Sequence, residues 1–151
     1  MNKPKFVYVV YIATTREKLW QALTSPEWTR QYWATCWQDS TWEVGGPWNI
    51  VNGNGTVCDT GTVVEIDPPS KLVTTWKNQI HPELINVGPT TMTYELEETP
   101  LGAKLTLTHE APEGGERFVE MVSAGWPAIL SSLKSLLETG RILPTTDQWP
   151  E

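Results

Sequence analysis

Residues 116–139 read ERFVEMVSAGWPAILSSLKSLLET, and this stretch decides the fold. Phe118, Val122, Gly125, Trp126, Ile129, Leu133, Leu136 and Leu137 recur at three- and four-residue steps, which places them on one apolar stripe of a helix. Glu120, Lys134, Ser135 and Glu138 fall largely outside the stripe, on the expected solvent side. Gly140 stands where a left-handed C-cap is wanted, and Pro144 prevents the helix from resuming. At the centre lies Gly125-Trp126-Pro127. Pro127 has no N–H for the Ser123 carbonyl and its ring crowds that carbonyl, so the helix should bend or open there. A long helix bent at its middle suits a curved sheet better than the seam of a bundle.

Upstream of this helix the chain is read as strands. Thr91–Glu98 and Ala103–Glu110 form a hairpin around Thr99-Pro100-Leu101-Gly102. Met92, Tyr94 and Leu96 alternate with Thr93, Glu95 and Glu97, and Leu105, Leu107 and His109 alternate with Thr106, Thr108 and Glu110. One face is apolar and the other solvated, which is the pattern of an antiparallel sheet covered on one side. Leu72–Lys77, Thr60–Ile66, Trp48–Val51 and Thr35–Asp39 are further strands, with Asn78–Pro89 as a long connection. Asn52-Gly53-Asn54-Gly55 is the strongest hairpin signal in the chain. At the N-terminal end, Phe6–Ile12 is a β-branched and aromatic strand. Thr14 or Thr15 then caps a helix with Leu19, Trp20, Ala22 and Leu23 on one face, and Ser25-Pro26 starts a second short helix that ends near Tyr32 or Trp33. The order β, αα, several β, long α predicts an α+β helix-grip fold. Its antiparallel sheet has about six to seven strands, with two short helices after the first.

The 151 residues suffice for one domain that buries about 70% of its unfolded surface. The expected core spans about residues 6–144, with a loose tail at 145–151 in which Trp149 is a candidate for docking. A formal net charge of −7 disfavours nucleic acid and anionic membrane surfaces as partners. No apolar run reaches the roughly 18–20 residues of a membrane-spanning helix. The N-terminal apolar run is short, β-branched and free of a small-residue cleavage site, so it reads as a strand and not a signal peptide. Two cysteines, Cys36 and Cys58, have neither metal spacing nor a disulfide framework, which points to a reducing cytoplasm. Nine Trp in so short a chain suggest a cavity or groove lined by some of them.

Several motifs together have a family likeness. IATTREKLWQALTSPEWTRQYW, GGPW, GTVVEIDPPSKLVTTW, TYELEET, KLTLTHE and GWPAILSSLKSLLETG occur in this order between about Phe6 and Pro144. The set resembles the SRPBCC superfamily, with its START-like or birch-pollen-allergen-like fold. Within it, the chain is similar to the branch named after the C-terminal domain of the activator of the heat-shock-protein-90 ATPase. The resemblance implies a curved antiparallel sheet wrapped around the C-terminal helix, with a cavity between them that takes lipids, sterols, polyketides or aromatic compounds. Some members of the superfamily are enzymes such as polyketide cyclases. The eukaryotic co-chaperones of the branch are usually longer chains with an extra N-terminal domain that these residues do not include, so co-chaperone activity is not expected of them.

The candidate ligand-binding residues follow. Gly125, Trp126, Val122 and Ile129 should form one wall, since the bend exposes a helical carbonyl and Gly125 leaves room beside the sheet. Trp76, Met92, Tyr94, Leu105, Leu107 and His109 point inward by alternation, with Trp33, Trp37 and Trp48 nearby in chain order. Apolar area with a few polar handles is the usual composition of a small-molecule site. His109-Glu110 is the only pairing that hints at acid–base work, yet adjacent strand residues face opposite ways, so Glu110 cannot orient His109. An inward histidine is more often a hydrogen-bonded core residue, and no catalytic residue is assigned. His81 lies in a loop with no partner to assign, and two His and two distant Cys give no zinc ligand set. Glu65 and Asp67 share a strand face and could hold a cation, although solvation and turn chemistry before Pro68 explain them as well.

The leading expectation is a binder of a small apolar or aromatic ligand without cofactor or metal. The alternatives are an enzyme of the polyketide cyclase or hydrolase kind that uses His109, and a chaperone-linked protein-binding module. The sequence leaves formation of a homodimer open.

Overall fold

The computed structural model describes residues 3–143, so Pro144 and the tail with Trp149 lie outside the described residues. Strand β1 (Lys5–Ile12) leads into helices α1 (Arg16–Thr24) and α2 (Pro26–Tyr32). Strands β2 (Trp37–Ser40), β3 (Pro47–Val51), β4 (Val57–Asp67), β5 (Lys71–Asn78), β6 (Thr90–Thr99) and β7 (Gly102–Glu110) follow, and α3 (Glu116–Thr139) closes the series. The seven strands form one curved sheet in the order β1-β7-β6-β5-β4-β3-β2, antiparallel at every step. A meander from β2 to β7 is thus completed by β1, whose residues 5–12 pair with residues 103–110 of β7. This is the helix-grip arrangement.

Local chemistry accounts for the elements. Thr15 accepts the Lys18 N–H at 3.2 Å and caps α1. Ser25 occupies the N-cap of α2 with Pro26 at the first helical position, but its side chain makes no capping bond. Strand β2 begins at Trp37 and not at Thr35, because Ala34 (φ 46°) and Thr35 (φ 61°) are left-handed and turn the chain. Gly61 lets β4 lie against β5, since a Cβ there would fall 1.9 Å from the Thr75 carbonyl oxygen.

Side-chain alternation in the β6–β7 hairpin is as the sequence predicts. Met92, Tyr94, Leu96, Leu105, Leu107 and His109 are all buried under α3, while Glu95 and Glu97 are exposed. Helix α3 runs unbroken through Pro127, ends at left-handed Gly140 and buries Phe118, Trp126, Ile129, Leu130, Leu133 and Leu136. Its polar side is not simply solvated. Lys134 Nζ donates to the Tyr11 carbonyl at 2.6 Å, and Glu138 Oε2 accepts the Ala13 N–H at 2.8 Å. The long polar side chains reach over the helix edge and tie its last turns to the end of β1.

Candidate ligand site

A cavity of about 500 Å³ lies between the first half of α3, parts of β4 and β5, and the 79–89 connection. Helix α3 contributes Phe118, Met121, Val122, Ala124, Gly125, Trp126 and Ile129, a set at helical spacing that places one face along the cavity. Cys58 and Asp59 come from β4, Trp76 and Asn78 from β5, and Ile80, His81 and Leu84 from the connection. Trp33 reaches the cavity from the C-cap of α2, where Cys36 N–H donates to its carbonyl at 2.7 Å. Ile80 and Ala124 are exposed, so the cavity meets the surface between the connection and the helix. Beside this mouth, Arg117 of α3 pairs with Glu83 of the connection at 2.9 Å.

Two consecutive buried residues, Cys58 and Asp59, break strand alternation. The cause is a register shift between β3 and β4: Ile50 pairs with Asp59 but Val51 with Val57, which leaves Cys58 as the extra residue of a bulge. Asp59 is thereby turned to the interior, where it is 5% exposed. Its Oδ1 accepts the Trp76 indole N–H at 2.8 Å and the Asn78 amide N–H at 3.0 Å, so both bonds converge on one oxygen. The Asn78 amide oxygen accepts the N–H groups of Ile80 (3.1 Å) and His81 (2.7 Å), which fixes the amide and orients the carboxyl. Burial raises the Asp59 pKa from 3.8 to about 6, against the opposing hydrogen bonds from Trp76 and Asn78. No ion pair among the described residues engages Asp59, and no Lys or Arg lines the cavity.

Behind the cavity stands a cluster of rings. Trp126 packs edge-on to Trp33 at 5.1 Å and to Trp76 at 5.8 Å, while Trp76 contacts Trp48 at 5.0 Å. Trp126 Nε1–H donates to His109 Nδ1 at 3.1 Å. An indole nitrogen can only donate, so His109 Nδ1 is unprotonated and Nε2 carries the hydrogen that reaches Thr90 Oγ1 at 2.9 Å. Thr90 in turn donates to the Trp76 carbonyl at 2.9 Å. Burial lowers the His109 pKa from 6.5 to about 3, so the ring is neutral. His109 therefore holds Trp126 and Trp76 in place with both nitrogens engaged.

The structure divides the sequence-predicted site residues into two groups. Trp33, Trp76, Val122, Gly125, Trp126 and Ile129 meet at the cavity. Met92, Tyr94, Leu105, Leu107 and His109 are buried in the core beyond its lining. Trp48 is also core, its Nε1–H donating to Gln38 Oε1 at 2.9 Å. Trp37 lies outside the lining under the Arg30 guanidinium, 4.9 Å from its ring centroid. The Tyr94 hydroxyl has no hydrogen-bond partner among the described residues, and burial raises its pKa further above the ordinary tyrosine value. Glu65 forms an exposed pair with Lys71 at 3.3 Å, and Asp67 accepts the Ser70 N–H through its carbonyl in the β4–β5 turn. Asp59 escapes a sequence reading because its burial depends on the bulge, and Asn78 because its role comes from the contact with Asp59. The one signal for Asp59 is an acid next to a strand-like run, one residue before Thr60.

Residues 13–138 match the family model described as Activator of Hsp90 ATPase homolog 1-like protein. Protein MLL2253 from Mesorhizobium loti is 26% identical with a TM-score of 0.74, over 89% of this chain and 96% of that one. The Aha1 dimer from Colwellia psychrerythraea is 22% identical with a TM-score of 0.67, over 91% and 98%. DynU16, a protein of the dynemicin biosynthetic locus, is 20% identical with a TM-score of 0.73, over 91% of this chain and 48% of that one. No curated protein matches the chain. Among the described residues, no helix is long and apolar enough to cross a membrane.

Proposed function

This chain belongs to the Activator of Hsp90 ATPase homolog 1-like family, and we propose that it binds a small apolar or aromatic ligand in the cavity beside α3. The observation that carries this reading is the cavity itself, about 500 Å³ in volume and walled by three indoles, Phe118, Leu84 and the apolar face of the helix. That size and lining suit a small organic molecule. Affinity would come from apolar burial, at about 25 cal/mol per Å² before ordering costs. The test is native mass spectrometry on protein purified gently from its own host, followed by solvent extraction. A stoichiometric apolar adduct is expected. A bare protein mass, combined with no uptake of any phenylalkyl probe, overturns the reading.

One observation favours a second reading, an enzyme that uses the same cavity: an ionisable carboxyl, Asp59, stands inside an apolar enclosure. His109 is not the group for that chemistry, because both its nitrogens are committed to Trp126 and Thr90. Turnover, if assigned, would fall with Asp59→Asn.

A further inference from the structure

Four features of the cavity converge on the charge of its ligand. Among the described residues Asp59 is the only carboxylate in the lining, and neither of its two hydrogen bonds reaches Oδ2. Among the described residues no lysine or arginine lines the cavity with it, and His81 is the one basic side chain in the lining. A carboxylate withdrawn from water without a cation is an unfavourable arrangement that a positively charged guest would relieve. The Asn78 clamp holds the carboxyl in a fixed orientation before anything binds, so little ordering is left for the guest to impose.

A metal ion does not fit this arrangement. Hard cations need several oxygen ligands, and among the described residues no group of three His, Cys, Asp or Glu side chains is placed to hold one. Apart from Cys58, Asn78 and His81, the rest of the lining is aromatic and aliphatic, which calls for an apolar body attached to the charge. Indole faces tolerate a neighbouring ammonium better than aliphatic walls do. The net charge of −7 also favours the approach of a cation over that of an anion.

We propose that the cavity takes an organic cation, an apolar or aromatic body carrying a protonated amine, with the ammonium on Asp59 Oδ2 and the body against Trp126, Trp76 and the Phe118–Ile129 face of α3. The proposal rests on the ligand-binding reading above and adds the charge of the guest. A hydrogen-bond donor is required at the Asp59 end, and a carboxylate-headed molecule such as a fatty acid is disfavoured.

Three probes with one body separate the possibilities: 4-phenylbutylamine, 4-phenylbutan-1-ol and 4-phenylbutanoate. They are titrated by calorimetry at pH 7.5 into the wild-type chain and into Asp59→Asn. The amine should bind about tenfold or more tighter than the alcohol, the size of effect expected for a buried charged hydrogen bond. The carboxylate should bind most weakly. In Asp59→Asn the amine should fall to the level of the alcohol, whose own affinity should stay within about twofold because its apolar contacts are intact. The alcohol thus reports whether the variant keeps its cavity. If amine and alcohol bind equally well to the wild type, or if the amine keeps its advantage in Asp59→Asn, the cation assignment is wrong while ligand binding stands. If none of the three binds, both readings fail.

Discussion

Replacing Asp59 by Asn should stabilise this protein at neutral and alkaline pH, and the size of the effect can be worked from the burial of the carboxyl. Its pKa rises from 3.8 to about 6 in the folded chain, roughly two units at about 1.4 kcal/mol each, or about 3 kcal/mol. A group whose folded pKa is raised contributes stability that is fully present below its unfolded pKa and is lost as the pH climbs through the folded value. Asp59 therefore withdraws its contribution between about pH 4 and pH 6. His109 acts in the opposite sense, since its pKa is depressed from 6.5 to about 3. Its contribution is present above pH 6.5 and disappears as the pH falls toward 3. Between about pH 4 and pH 6 the two slopes are equal and opposite, each about 1.4 kcal/mol per unit, so for this pair the wild type should show a plateau. An asparagine at position 59 keeps an oxygen for the Trp76 and Asn78 donors but cannot ionise. Urea melts from pH 4 to pH 8 should show Asp59→Asn more stable by up to about 3 kcal/mol at pH 8 and nearly equal to wild type at pH 4, with no plateau between. If the variant were no more stable at pH 8, or if its profile ran parallel to the wild type, the carboxyl would not be desolvated as its burial indicates.

Other expectations follow from single contacts. Trp126→Ala should lose about 3–5 kcal/mol in a denaturant melt, since it removes a buried ring that touches Trp33 and Trp76 and leaves His109 Nδ1 without a donor. It should also weaken 4-phenylbutan-1-ol binding, and an unchanged melt would contradict the packing described. Trp126→Phe separates the two effects, because it keeps a ring but leaves the buried acceptor unpaired, a loss of about 1–3 kcal/mol. Gly61→Ala forces a methyl to within 1.9 Å of the Thr75 carbonyl oxygen and should cost about 1–3 kcal/mol, read as a lower melting temperature. Glu138→Ala removes an acceptor for Ala13 N–H and the Lys134 partner at 2.7 Å, both near the surface, so its thermal shift should correspond to at most about 1 kcal/mol.

How far the sequence reaches is clearest from particular residues. The helix at 116–139, the β6–β7 hairpin and the paired short helices were legible because each depends on local periodicity: a 3.6-residue stripe, a two-residue alternation, and caps with Pro26 and Gly140 at fixed places. These elements in that order leave one economical way to cover a single apolar sheet face, so the architecture was within reach of the sequence. The α3 wall at Val122, Gly125, Trp126 and Ile129 was legible for the same reason. The opposite wall was legible only in Trp33 and Trp76. Which inward rings fill the core and which line the cavity depends on how the strands curve beneath α3. Tyr94, Leu105, Leu107 and His109 are closed off from the cavity, while Trp76 and Trp33, likewise buried from solvent, line it. His109 has the same inward signature as a site residue. Only the approach of Trp126 and Thr90 to its two nitrogens makes it a fixed hydrogen-bonding post.

Asp59 marks the limit most sharply. Along a regular strand it would alternate with its neighbours and one of Cys58 and Asp59 would face solvent. The extra residue between the Val57 and Asp59 pairings turns both inward, and the distant Trp76 and Asn78 then capture the carboxyl. A strand's sequence records its own period but not a one-residue slip against its partner, because that slip is set by the pairing of the whole sheet. The elements and their order were determined by the sequence itself; the cavity and the buried carboxyl in its wall were decided only when the strands took their register.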